Sequence, residues 1–77
     1  MALIGRFEGR PLEPKRVRDE VLCGYAATNI GSRRILQLVT YGSADREVRG
    51  AVSQTLQLDR DGAAELKRII ERSFPGI

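Results

Sequence analysis

The residues best equipped to recognise something are the arginines. The 77-residue chain has eleven of them against two lysines. They gather in Lys15-Arg16-Val17-Arg18, in Arg33-Arg34, and at Arg46 and Arg49. A guanidinium is a planar fork that contacts phosphate through two donors and stacks on bases, which a lysine ammonium does not do. The charge is also uneven. Residues 1–18 hold five basic and two acidic residues, a balance of +3, and residues 33–50 hold four and two, a balance of +2. Residues 19–32 carry −2, and residues 51–77 hold four of each sign. Aromatic partners for bases are few: Tyr25 and Tyr41 are the stacking candidates, and Tyr41 stands just before the Arg46 loop. One base stacked on one ring contributes roughly 1–3 kcal/mol. Gln37, Ser53, Thr55 and Gln57 add polar groups that can donate and accept.

Catalytic chemistry is poorly provided for. There is no His, which removes the commonest general base and every Ser-His or Cys-His pairing. The one cysteine, Cys23, excludes an intrachain disulfide and reads as a packed or half-buried thiol among apolar neighbours. Asp45 and Glu47 form a carboxylate pair that could hold a metal, but Arg46 and Arg49 beside them favour ion pairing. Ser43 with Asp45 reads as a turn, and Gly42-Ser43-Ala44-Asp45 lacks the Lys and the glycine spacing of a phosphate-cradling loop. Asp59-Arg60-Asp61-Gly62 has the start of a calcium loop without its later ligands, so a helix cap is the expected role. The expectation is a protein that is not an enzyme and needs no metal or cofactor. A metal at Asp45 and Glu47 is the one enzymatic alternative.

Size and balance narrow the class. A chain of 8.6 kDa with a formal charge of +3 and a pI of about 9.6 is one domain, 1–77, and only modestly basic. At this size folding buries only about 60% of the unfolded surface, so self-association or a partner is expected. No apolar run approaches the ~20 residues of a membrane span. Met1-Ala2-Leu3-Ile4 is followed at once by Arg6, unlike a signal peptide, which gives a cytoplasmic expectation.

These residues need elements to position them. Alternation over residues 2–8 suggests a first strand, with Leu3, Gly5 and Phe7 on one side. Pro11 and Pro14 break any regular element, so residues 9–19 read as an exposed loop. A second strand is expected at 20–30, with Gly24 as its weak point and a candidate bulge. Asn29-Ile30-Gly31-Ser32 signals a turn into a third strand at 34–41. After a polar loop at 42–50 comes a fourth strand at 51–58. Its even side, Val52, Gln54, Leu56 and Leu58, should face the core. Asp59 or Asp61 caps a helix whose stripe is Ala63, Leu66, Ile70 and Ser73, with Ile69 and Phe74 beside them, and Pro75-Gly76 ends it. The expected fold is α+β: a four-stranded antiparallel meander (β-β-β-β-α) with one C-terminal helix packed on one face. The other face, with Ile35, Gln37, Val39, Tyr41, Ser53, Thr55 and Gln57, is left uncovered.

This element order resembles the transcriptional coactivator positive cofactor four family and its bacterial relatives. The resemblance spans about residues 20–73: the hairpin, Ile35-Leu36-Gln37-Leu38-Val39-Thr40-Tyr41 before a polar loop, and Ser53-Gln54-Thr55-Leu56-Gln57-Leu58-Asp59 leading into Ala64-Glu65-Leu66-Lys67-Arg68-Ile69-Ile70. The family's lysine- and glycine-rich signature before the last strand is replaced here by Arg46 to Gly50. What the resemblance implies is dimerisation through helices and binding of single-stranded DNA on exposed strands and loops. The functional expectation is therefore a homodimeric nucleic-acid-binding module for single-stranded DNA, acting in transcription or DNA maintenance. Its expected contacts are Arg33, Arg34, Arg46 and Arg49 to phosphates, Tyr41 to a base, and Gln37, Ser53, Thr55 and Gln57 as polar partners. The alternative is a protein-interaction subunit or inhibitor that uses the open face or the strand edges.

Overall fold

A computed structural model describes residues 1–42 and 52–77. The chain runs β1 (Ala2–Leu3), β2 (Cys23–Ile30), β3 (Arg33–Tyr41), β4 (Val52–Leu58) and α1 (Arg60–Ser73). It is an α+β fold with one four-stranded sheet and a C-terminal helix, as the periodicities suggest.

The strand order is β1-β4-β3-β2, with β2–β3 and β3–β4 antiparallel and β1 parallel to β4. The sheet is therefore mixed, not an antiparallel meander. The reason lies in the connection between β1 and β2. Sequential strands become neighbours when a tight turn joins them. Residues 4–22, with Pro11 and Pro14, make no such turn and carry the chain from one sheet edge to the other, a span of about 14 Å at ~4.8 Å per strand. β1 itself is two residues long instead of the expected 2–8. It pairs Ala2 with Leu56 and Leu3 with Gln57, and the Ile4 N–H adds one bond to the Gln57 carbonyl at 3.0 Å.

The β2–β3 hairpin closes through Gly31-Ser32, since Ile30 is opposite Arg33. Gly31 has φ +63°, while Ser32 does not have positive φ. This is the two-residue hairpin pattern with glycine at the first central position, whose twist matches that of the strands. The expected bulge at Gly24 is not there. The register irregularity falls instead between Thr40 and Tyr41, where pairing passes from Thr40–Gln54 to Tyr41–Val52 and skips Ser53.

Asp59 begins the helix. Its Oδ1 accepts from the Gly62 N–H at 2.9 Å, and its carbonyl accepts from Ala63 N–H at 2.9 Å. Gly62 is buried because a Cβ there would come within 3.2 Å of the Ile4 carbonyl oxygen and 3.6 Å of Leu58 Cδ2. A small residue thus lets the first helical turn close on Ile4, just past β1, and on Leu58 of β4. Ala63, Leu66 and Ile69 are half-buried along the expected stripe, and α1 meets β3 and β4. Toward its end the stripe is open: Ile70 is marginally exposed and Phe74 is 64% exposed. The last turn closes with the Phe74 N–H on the Ile70 carbonyl, and Gly76, at φ +89°, lies beyond it.

Among the described residues the buried apolar side chains are Ile35 and Leu58, at 4% and 2% exposure. Both lie at the helix end of the sheet. Of the even side of β4 expected to face the core, only Leu58 is buried; Gln54 and Leu56 are exposed, and Val52, also exposed, lies opposite Tyr41 on the other face past the irregularity. One short helix anchored at its first turn cannot reach the rest of that face.

Candidate nucleic-acid interface

Residues directly opposite each other on neighbouring strands share a sheet face. Gln37 is opposite Gln57 and Val39 opposite Thr55, so one face carries Gln37, Val39 and Tyr41 of β3 with Thr55 and Gln57 of β4. Gln57 Nε2 donates to Gln37 Oε1 at 3.1 Å, which fixes both amides and leaves each with further donors and acceptors. Ile35, expected on this open face, is on it by alternation but is buried near the helix end.

Tyr41 is the pivot of the face. A Cβ at Gly24 would lie 3.3 Å from Tyr41 Cε2 and 3.4 Å from its Oη, so the phenol ring lies across the bare backbone of Gly24. Gly24 has no positive φ. Glycine supplies space here and not conformation. The ring borders two open depressions. One, of about 290 Å³, is lined by Gly24, Tyr25, Ala26, Gln37, Val39 and Tyr41. The other, of about 440 Å³, lies at the end of the sheet and includes Arg16, Arg18, Thr40, Tyr41, Ser53 and Gln54. The residues before β2 are tied to this end by one backbone bond, from Tyr41 N–H to the Leu22 carbonyl at 3.1 Å.

Of the residues singled out in the sequence, the structure brings Gln37, Tyr41, Thr55 and Gln57 onto one face and sets Ser53 in the cleft beside Tyr41. Arg33 and Arg34 are elsewhere. They begin β3 at the hairpin turn, eight and seven residues from Tyr41, or about 26 and 23 Å at ~3.3 Å per residue. Arg33 Nη2 donates to Asp59 Oδ2 at 3.0 Å, and Arg34 Nη1 to Asn29 Oδ1 at 3.3 Å across the hairpin. Arg33 thus supports the helix cap. The Gly62 N–H foremost, and then the Arg33 guanidinium, hold the Asp59 carboxyl below its ordinary value of 3.8, against the opposing effect of desolvation. Arg46 and Arg49, like Asp45, Glu47 and Ser43, lie outside the described residues.

Arg16 and Arg18 were missing from the set expected to make contact, although the basic run Lys15-Arg16-Val17-Arg18 marks them. What the sequence could not supply is that the first loop returns to the β3 end. Cys23 also differs from expectation: it is exposed, because β2 is an edge strand and the helix does not reach it. Among the described residues no His/Cys/Asp/Glu cluster is arranged to hold a metal ion, and no helix is long and apolar enough to cross a membrane.

The chain matches no family model, and neither a curated protein nor a solved structure matches it significantly.

Proposed function

We propose that this chain is a small nucleic-acid-binding module for single strands, with single-stranded DNA favoured, that works as a homodimer in transcription or DNA maintenance. The observation that carries the reading is the setting of Tyr41. Its ring rests on Gly24 between two open depressions, one with amide and backbone groups and the other with two arginines. An aromatic platform beside cations, on a sheet face with free hydrogen-bonding groups, is what sequence-tolerant single-strand binding needs. Arg46 and Arg49 follow Tyr41 in the chain, and Arg33, at the far end of β3, shares the Tyr41 face by alternation. The likeness to the positive cofactor four family in element order points the same way.

The homodimer is supported by surface. The chain exposes 7105 Å², whereas a folded monomer of 8.6 kDa exposes about 4,700 Å². The exposed loop at 5–22 accounts for part of the surplus. Exposed apolar groups of α1 and β4 (Ile70, Phe74, Leu56 and Val52) also contribute, and a standard interface takes about 800 Å² per partner.

Anisotropy of a labelled oligothymidylate at about 50 and 200 mM salt tests the reading, with light scattering for the mass. Binding that weakens steeply with salt, on a particle of twice the chain mass, is expected because phosphate contacts release counterions. No binding at the lower salt, or binding indifferent to salt, refutes it. A protein-interaction subunit or inhibitor is the second reading. It is favoured by β2, an edge strand of eight residues with no charge and no proline to block strand addition. A stoichiometric protein partner copurifying without nucleic acid would select it.

A further inference from the structure

The cleft at the β3 end has a composition that specifies more than general attraction. Arg16 and Arg18 come from the loop before β2, and the Tyr41–Leu22 backbone bond holds that loop against β3. Neither guanidinium is ion-paired among the described residues, where the salt bridges are Arg10–Glu8 and Arg33–Asp59. Tyr41 forms one wall, and the Ser53 hydroxyl and Gln54 amide offer neutral partners. Asp19 is also in the lining. Arg16, Arg18 and Asp19 together sum to one positive charge.

We propose that this cleft is a phosphodiester subsite, in which Arg16 and Arg18 take the internucleotide phosphate next to the base resting on Tyr41. The inference rests on the nucleic-acid reading above and names which groups of that site hold the backbone. An internucleotide phosphate carries one negative charge, and a terminal phosphate carries −1.5 to −2 near neutral pH. Asp19 is unfavourable to the second charge, so the site selects a diester inside a strand over a mononucleotide or free phosphate. The loop is tied at the Tyr41 end of β3, so a strand lying along β3 meets the ring and the two guanidiniums in succession.

The test uses the full chain and a labelled oligothymidylate. Arg16→Gln with Arg18→Gln should weaken binding at least tenfold and flatten the salt slope by about 0.7, since the two share one phosphate and each phosphate contact on a single strand contributes about 0.7. Lys67→Gln with Arg68→Gln removes the same charge from the exposed side of α1 and should change affinity less than twofold. Circular dichroism should show both variants folded, because Arg16 and Arg18 are exposed. Thymidine monophosphate and inorganic phosphate should fail to displace the oligonucleotide at millimolar concentration, while an unlabelled dinucleotide with an internal diester competes. Wild-type protein that binds no oligonucleotide overturns the inference together with the nucleic-acid reading. Wild-type binding that both double variants preserve, or lose equally, overturns the subsite alone. Displacement by the monophosphate as readily as by the dinucleotide overturns the diester assignment.

Discussion

Gly24 offers the sharpest way to move Tyr41 without touching it. The strand backbone there has no positive φ, so a β-branched residue fits the conformation, and a residue with higher strand preference than glycine should stiffen β2. Alanine would place its Cβ 3.3 Å from Tyr41 Cε2, a contact the ring relieves by sliding a few tenths of an ångström. Valine adds two methyl groups about one bond length, ~1.5 Å, beyond that point. No small slide clears them, so the ring must lift from its seat. Gly24→Ala should therefore leave stability equal or raise it by up to about 1 kcal/mol, the usual gain over strand glycine, with affinity within about threefold of wild type. Gly24→Val should keep the fold and lose the stack, roughly 1–3 kcal/mol, which is about 5- to 150-fold in affinity. Oligonucleotide anisotropy reads the affinity and thermal unfolding reads the fold. Intrinsic tyrosine fluorescence adds a direct signal, since the chain has no Trp and two Tyr. Folded Gly24→Val with wild-type affinity and unchanged tyrosine quenching would show that the ring over Gly24 is packing and not a platform.

Other outcomes follow from the helix end of the sheet. Leu58→Ala removes a 2% exposed side chain packed against Gly62, and should cost about 2–5 kcal/mol, read as a lowered denaturation midpoint at fixed protein concentration. A loss below about 1 kcal/mol would mean that Leu58 is not the anchor of the helix. The Asp59 carboxyl titrates lower when folded than when unfolded, so its contribution is present above the unfolded carboxyl range and disappears as pH falls through the lowered folded value. Asp59→Asn still caps the helix but does not titrate. Wild type should therefore lose thermal stability faster than the variant as pH falls through the ordinary carboxyl range and below, and an Arg33→Ala background should narrow that gap without closing it, because the Gly62 N–H is the larger cause. Parallel acid profiles for wild type and Asp59→Asn would refute the role of the charge.

How much of this was legible beforehand depended on the range of the interaction. β3, β4 and α1 came within a residue of their expected bounds because each rests on local patterning: alternation over Ile35–Tyr41 and Val52–Leu58, and a carboxylate cap before a helical stripe. The shared face of Gln37 and Gln57 followed from the same alternation, while their direct pairing depends on the β3–β4 register. What failed was non-local. The parallel placement of β1 depends on the path of residues 4–22, which no periodicity encodes. The seat of Tyr41 on Gly24 is a diagonal contact set by the β2–β3 register, where Gly24 is opposite Val39, so a glycine that looked like a weak point in a strand is the floor under a ring. Arg33 looked like a free cation beside Arg34, but it faces Asp59 because β3 begins where the helix begins.

The position of the cations has a further consequence. The arginines are not collected around one point: Arg33 and Arg34 stand at one end of β3, and Arg16 and Arg18 at the other, by Tyr41. A compact anion would feel only one of these pairs, since surface charges about 26 Å apart are screened from each other at physiological salt, where the Debye length is about 8 Å. Alternation along β3 also puts Arg34 on the face opposite Tyr41, and Arg33, on the Tyr41 side, is held by Asp59. A strand lying on the Tyr41 face would therefore meet Arg16 and Arg18 and not Arg34. Arg34→Gln should leave affinity nearly unchanged on a short oligonucleotide and on a long one, whereas Arg16→Gln with Arg18→Gln weakens both. An Arg34→Gln loss that grows with length would show that the strand crosses the hairpin end instead of following the Tyr41 face.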